Sequence, residues 1–246
     1  MQPAIVCLHM SPKSGKNYQD VLPHLAGDRI AIAPDYPGHG ESDPPPPEPQ
    51  VSITDFADST WAAVDALCDG PVHFVGYHTG SMVAVEAALQ KPGKVRSIVA
   101  ISAPIFDDHE IAEYSASFEP VPIDEAGTRF SVNWQRVVEN RGPGVTLAML
   151  ADSFAENLRA GDDYEWGHRA AFAYAGGFGE RIAAVDKPIL VVNPADDCFD
   201  ATKRSADLLR QGSYLEFTQW GHGFLNAYPD DAARVILNFV QEHDKQ

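Results

Sequence analysis

Residues 74–81 of this chain read FVGYHTGS and decide its fold. The segment begins in an apolar run that is typical of a buried strand, and residues that favour a helix follow Gly80. Glycines placed two residues before and two residues after His78 let a strand and a helix pass closely at a sharp turn. The pattern therefore predicts a strand–turn–helix unit with His78 at the turn.

Outward from this unit, apolar segments that predict strands alternate with amphipathic segments that predict helices. The predicted strands cover residues 4–9, 29–33, 72–77, 95–102, 188–193 and 214–218. The predicted helices cover residues 18–25, 53–67, 81–90, 201–209 and 231–240. Because several strands are rich in β-branched residues and apolar on both faces, the sequence indicates an α/β fold with a mostly parallel sheet flanked by helices.

Residues 104–187 interrupt this alternation. The interval carries no strong strand signal, contains helical stretches at 145–159 and 163–175, and lies between Pro104 and Pro188. We therefore predict a core formed by residues 1–103 and 188–246, with residues 104–187 inserted as a helical unit. Aromatic residues in such an insertion can line a pocket or form the insertion's own core.

Two further segments carry polar residues at the ends of predicted strands. Residues 191–197, VVNPADD, follow a strand directly, and open α/β sheets place functional groups at that end. The strand count favours Asp197 as the functional acid, with Asp196 as the alternative, although both aspartates also suit a turn. Residues 220–224, WGHGF, place His222 between the last predicted strand and the last predicted helix.

Residues 8–12, LHMSP, and residues 35–42, DYPGHGES, complete the pattern. They resemble the H-G-x-P and D-x-P-G-x-G-x-S loops of the α/β-hydrolase superfamily, and residues 76–80 resemble its G-x-S-x-G elbow. The resemblance extends over the whole chain, with the helical insertion where the family carries its cap. Three features depart from the family: His78 replaces the nucleophile, Met10 replaces a glycine, and the first two strands are absent.

This resemblance implies a role for each matching position. His78 would take the nucleophile position, Asp197 that of the acid and His222 that of the base. The backbone N–H groups of Ser11 and Thr79 would form the oxyanion hole.

The substrate would lie between the sheet and the cap, and we expect three large side chains to contact it: Met10 beside the elbow, and Trp134 and Trp166 from the insertion.

Three interpretations of His78 stay open at this point. A neutral imidazole can act as a nucleophile, it can act as a general base that helps His222, or the site can bind a ligand without catalysis. The resemblance implies hydrolysis of a small apolar ester or a related carbonyl compound. The alternatives are a lyase reaction on the same fold and an inactive ligand-binding module.

Composition limits the partners. The formal net charge of -17 argues against binding to nucleic acid or to anionic membranes, which leaves a small-molecule substrate. Cys7, Cys68 and Cys198 are widely spaced and form no metal or disulfide pattern, so we expect no cofactor, no metal and a cytoplasmic location. The first residues carry no basic stretch and only a short apolar run, so we expect neither a signal peptide nor a membrane-spanning segment there.

The absence of the family's first two strands has a consequence for residues 29–33. This apolar segment would become the edge of the sheet, and a bare apolar edge invites pairing with another chain. We therefore expect a loop or a partner subunit to cover it, and a homodimer is a possible arrangement.

Overall fold

The computed structural model of this protein describes residues 2–244, and its centre is a sheet of six strands. The strands are β1 (Ile5–Leu8), β2 (Ala31–Ile32), β3 (Val72–Tyr77), β4 (Val95–Ile101), β5 (Ile189–Pro194) and β6 (Gly212–Phe217). All neighbours pair in parallel, in the order β2-β1-β3-β4-β5-β6. This confirms the predicted α/β fold, and it brings the carboxyl ends of all six strands to one edge.

Helices cover this sheet and fill the interval between β4 and β5. They are α1 (Leu22–Ala26), α2 (Ile53–Leu67), α3 (Thr79–Gln90), α4 (Asp108–Ser117), α5 (Thr128–Glu139), α6 (Leu147–Arg159), α7 (Trp166–Ala175), α8 (Phe178–Ala184), α9 (Phe199–Lys203), α10 (Phe224–Ala227) and α11 (Pro229–Glu242). Four short 3₁₀ turns lie at Gly15–Tyr18, Pro92–Lys94, Gly161–Asp163 and Ala206–Leu208. None of the helices within residues 2–244 is both long enough and apolar enough to cross a membrane.

The sheet has an apolar core on each face because its central strands alternate between two sets of buried side chains. Val6 and Phe74 point to the face covered by α2, α3 and α8. Ile5 and Val75 point to the opposite face, where α11 contributes Ile236. Odd and even positions of these strands therefore each face one of the two apolar cores, which explains why the strands are continuous apolar runs in the sequence.

Two predicted helices are shorter than expected. Residues 201–209 were expected to form one helix, but α9 ends at Lys203 and a 3₁₀ turn follows. The change occurs because the N–H groups of Ser205 and Leu208 bond to carbonyls three residues earlier, where an α-helix would bond to the fourth. Residues 18–25 likewise divide between the turn Gly15–Tyr18 and α1.

Residues 104–187 contain α4–α8 and no strand in the part of the chain that the structure describes. We call this interval the helical segment. The sequence predicted α6 and α7 within it but not α4, α5 or α8. Its division from the core as a separate unit stays a prediction.

Strand β2 is the edge next to β1, as the sequence predicted, but it pairs through only two residues. Ile30 and Ile32 are half-buried against one face of the sheet, while Ala31 and Ala33 are half-buried against the other. A short edge strand of this kind offers little backbone for pairing with another chain. Coverage by a partner subunit stays a prediction.

Candidate functional site

His78 occupies a sharp turn between β3 and α3. Its backbone has φ 49° and ψ −114°, a conformation that places the side chain above the carboxyl end of the sheet. The turn requires glycine on both sides. A Cβ on Gly76 would lie 2.1 Å from the Gly80 carbonyl oxygen, and a Cβ on Gly80 would lie 1.9 Å from the Leu8 carbonyl oxygen.

His78 is paired with a buried carboxylate. Oδ2 of Asp196, in the loop after β5, accepts a hydrogen bond from His78 Nε2 at 2.9 Å. The Asp196 side chain is 0% exposed, and it also accepts hydrogen bonds from the Ser102 hydroxyl at 2.6 Å and the Cys198 N–H at 3.0 Å. Burial alone would lower the pKa of His78, but the charges of Asp196 and Asp197 and the hydrogen bond to Asp196 outweigh it and raise that pKa.

A second acid–histidine pair lies beside the first. Oδ1 of Asp197 accepts a hydrogen bond from His222 Nε2 at 2.8 Å, the pairing that the order of the motifs predicts. His222 follows β6, and its carbonyl accepts a hydrogen bond from the Gly142 N–H, which ties this loop to the helical segment. Burial opposes ionisation of Asp197, yet the hydrogen bond and charge of His222 hold the pKa of this carboxyl well below its usual range.

The two pairs form one cluster. The rings of His78 and His222 stack with centroids 5.2 Å apart and planes inclined by 21°. Nε2 of His78 is also 4.0 Å from Oδ1 of Asp197. The sequence named Asp196 only as an alternative acid for His222. Neither distance along the chain nor motif order signalled its pairing with His78, which lies 118 residues away.

Both ring nitrogens of His78 have close neighbours. Nε2 donates to Asp196, and Nδ1 lies 3.5 Å from Sγ of the buried Cys198. A nucleophilic imidazole needs a free lone pair directed at the substrate. Because both nitrogens have partners, the arrangement favours a role for His78 as a hydrogen-bonding group over a role as a nucleophile.

A cavity of about 350 Å³ opens above the cluster, between the sheet edge and the helical segment. Its wall includes a run of aromatic rings from Phe106, Tyr114, Phe118 and Phe172. All three residues of the predicted triad line it, as do Met10, Ser11 and Thr79. The lining of the cavity is therefore mostly apolar, and the three residues of the predicted triad lie together on it.

Two residues expected to contact substrate lie elsewhere. Trp134 packs edge-on against Phe154 with ring centroids 5.5 Å apart, and Trp166 packs against the core and near Gly38. Neither tryptophan is among the residues that line the cavity. Trp134 thus belongs to the packing of the helical segment itself, and Trp166 to the contact between that segment and the core.

The structure reveals a third acid–histidine pair that the sequence did not indicate. Nδ1 of His168 forms a short hydrogen bond with the carboxylate of Glu165, which is almost fully buried and also faces Arg136 at 3.5 Å. The His168 ring packs against that of Phe118 in a tilted arrangement, with centroids 4.1 Å apart. Glu165 and His168 line the cavity from the helical segment, as do the polar residues Asn133 and Arg136. Their spacing of three residues on one helical turn was the only available signal.

The backbone groups expected to form an oxyanion hole lie near the elbow. Thr79 is the first residue of α3, where an N–H has no partner within the helix. Ser11 follows β1, and the contact of Gly80 with the Leu8 carbonyl holds that loop against the start of α3. Their role in stabilising an oxyanion stays a prediction.

Comparison with known proteins assigns the fold to a family. A family described as alpha/beta hydrolase fold matches residues 3–140. The chain is 26% identical over 262 aligned residues to a non-heme chloroperoxidase of Streptomyces lividans, across 96% of this chain and 91% of the relative. It is 31% identical over 180 residues to the 2-(acetamidomethylene)succinate hydrolase of Mesorhizobium japonicum, across 64% of each chain.

Solved structures agree with that assignment. A thermophilic esterase from Thermogutta terrifontis superposes with a TM-score of 0.81 at 16% identity, covering 99% of this chain and 91% of the esterase. A meta-cleavage product hydrolase from Pseudomonas fluorescens superposes with a TM-score of 0.77 at 19% identity, covering 98% and 91%. At these identities the likeness shows the fold alone.

Proposed function

This chain belongs to the α/β-hydrolase fold family, and from that premise we propose that it hydrolyses a small, largely apolar ester or a related carbonyl compound. The observation that carries the proposal is the pair of acid–histidine contacts side by side at the base of an apolar cavity. Several matched proteins are named as hydrolases or esterases, which supports the reaction class but not the substrate.

We assign activation of the attacking water to His222. Its Nε2 is held by Asp197, so the Nδ1 lone pair is left to accept a proton. As His222 takes this proton, the water oxygen bonds to the carbonyl carbon, and the Asp197 carboxylate stabilises the imidazolium that forms. The tetrahedral intermediate then expels the alkoxide, which takes the proton back from His222.

We assign a different role to His78, because both of its ring nitrogens are engaged. The raised pKa of His78 favours its positively charged form, in spite of burial, next to Asp196. A positive charge at the elbow would stabilise the negative charge that develops on the substrate oxygen. The N–H groups of Ser11 and Thr79 would donate hydrogen bonds to the same oxygen.

The cavity supports the proposed substrate class. About 350 Å³ is enough for a small molecule, and aromatic walls favour an apolar acyl or aryl group. His168, held by Glu165, would form one hydrogen bond with a polar substituent of the substrate, away from the scissile bond. The favoured substrate is thus a small amphiphilic carbonyl compound with most of its surface apolar.

The test is turnover of a series of activated esters with acyl chains of increasing length. We expect measurable hydrolysis by the wild-type protein and a loss of at least about 10²-fold in kcat for His222→Ala, which removes the general base. The matched control is His109→Ala, because the His109 side chain is 88% exposed and is not among the residues that line the cavity. A His222→Ala variant that folds and turns over at the wild-type rate would refute the proposal.

A second measurement separates water attack from covalent catalysis. A serine-directed phosphonate should leave the wild-type protein unlabelled and active, because the elbow carries His78 and no hydroxyl. Stable labelling at any serine, detected by mass spectrometry together with loss of hydrolysis, would contradict attack by water.

A further inference from the structure

Four ligand atoms of the candidate site converge on one small volume. Nε2 of His78 lies 2.9 Å from Asp196 Oδ2 and 4.0 Å from Asp197 Oδ1, which in turn lies 2.8 Å from His222 Nε2. One nitrogen or oxygen atom from each of these four residues falls within 4.8 Å of the other three. Three separate loops, after β3, β5 and β6, supply them.

Contrary to the expectation from the sequence, we propose that His78, Asp196, Asp197 and His222 together bind one divalent transition-metal ion of the zinc class. Two imidazoles and two carboxylates make an N₂O₂ set, which suits Zn²⁺ and its neighbours in the first transition row. Binding would displace the Nε2 protons of the two imidazoles, because a ligating histidine must be neutral. The two carboxylates would then balance the two positive charges of the ion.

The separations fit such an ion after small side-chain movements. Zinc binds imidazole nitrogen and carboxylate oxygen at about 2.0–2.2 Å, so neighbouring ligands on a tetrahedron lie about 3.3 Å apart. The contacts at 2.8 and 2.9 Å would open slightly, while the wider separations, up to 4.8 Å, would close. All four side chains lie on loops or at a helix start, where such rotations do not disturb the sheet.

The surroundings supply the other features of a metal site. The Ser102 hydroxyl and the Cys198 N–H orient the Asp196 carboxylate, and the Tyr114 hydroxyl donates to the Asp197 carbonyl. Groups of this kind hold ligands in position before the ion arrives. The cavity above His222 and Asp197 provides a route from solvent.

The expected effect on catalysis follows from the ligand count and rests on the proposed function. Four protein ligands fill a tetrahedral ion, whereas catalytic zinc sites keep one position open for water. With the ion bound, His222 would be a ligand and could not accept a proton from water. We therefore infer that the metal switches off hydrolysis.

The experiment titrates chelator-treated full-length protein with Co²⁺, followed by visible absorption, and with Zn²⁺, followed by calorimetry. One equivalent should bind, with a cobalt spectrum typical of a four-coordinate site. His222→Ala and Asp196→Asn should each weaken the Kd for Zn²⁺ at least about tenfold, the lower bound even for loss of an outer-shell partner. His109→Ala should bind as the wild type does, and circular dichroism should show that each variant is folded.

Metal binding is measured without substrate, so a negative result would refute the metal site without bearing on the proposed hydrolysis. No stoichiometric binding by the wild-type chain, or unchanged binding in a folded His222→Ala variant, would overturn the metal site. Zinc that binds at one equivalent and increases hydrolysis would overturn the inferred inhibition. One-equivalent binding that stops ester turnover, with recovery after a chelator is added, is the result we expect.

Discussion

The sharpest structural contrast in the site is between two neighbouring carboxylates, and the same substitution in each tests it. Asp196 is 0% exposed and accepts hydrogen bonds from His78, Ser102 and the Cys198 N–H. Asp197 is 31% exposed and accepts one from His222. We predict that Asp196→Asn destabilises the fold much more than Asp197→Asn.

The magnitude follows from the contacts of Asp196. An asparagine amide has one oxygen, so a donor that now meets a carboxylate oxygen would face an NH₂ group instead. Each hydrogen bond to a charged group contributes about 1.5–3 kcal/mol, and breaking a buried ion pair costs about 3–5 kcal/mol. We therefore expect Asp196→Asn to lower the free energy of unfolding by about 3 kcal/mol, which corresponds to about 6–12 °C in Tm.

Asp197→Asn should lower the free energy of unfolding less, because water can replace the hydrogen bond that is lost in a partly exposed pair. A pair of that kind contributes about 1 kcal/mol or less. Urea unfolding at pH 7, followed by the fluorescence of the four tryptophans, measures both variants against the wild type. If Asp197→Asn were as destabilising as Asp196→Asn, the assignment of Asp196 as the buried anchor of the site would be refuted.

Three further predictions concern buried histidines, the elbow and the cap side of the cavity. Burial lowers the folded-state pKa of His39 and of His73 to about 4 and that of His9 well below its usual 6.5. The unfolded chain therefore binds more protons in this range, and the free energy of unfolding, measured in urea at several pH values, should fall as pH is lowered from 6.5 to 4. A flat profile would contradict the burial of neutral imidazoles. His78→Ser places a hydroxyl at the elbow, so we expect a serine-directed phosphonate to label that variant; complete resistance of the folded variant would show that the elbow cannot activate a hydroxyl. His168→Ala should raise KM about tenfold through loss of one hydrogen bond while kcat changes little, and an unchanged KM for every substrate would remove His168 from substrate recognition.

The elbow is the part of the site that the sequence predicted best. Gly76 and Gly80 are required because a Cβ at either position would lie about 2 Å from a backbone oxygen. That constraint is local, so it can be read from residues 76–80 alone. Apolar runs separated by helical patterns likewise indicated the parallel sheet, because each strand must bury both faces. Element ends were predicted less well, as the division of residues 201–209 shows.

The contacts of the helical segment could not be read in the same way. Trp134 and Trp166 looked suitable for a pocket by type and position, but the direction of each side chain depends on how its helix packs. His168 faces the cavity and the tryptophans do not, although all three belong to the same segment. Amphipathic spacing shows which side of a helix is apolar, but it does not show which neighbour that side meets.

The pairing of acids with histidines was decided by tertiary structure alone. The sequence by itself determined that His78, the Asp196–Asp197 pair and His222 would meet at one sheet edge, because parallel strands bring their carboxyl ends together. It did not determine which aspartate meets which histidine. Consecutive residues in a loop point in different directions, and here Asp196 turns inward beneath His78 while Asp197 stays partly exposed beside His222. The choice depends on the packing of Ser102 and Cys198 around the inner carboxylate, which residues distant in sequence complete only in the folded chain.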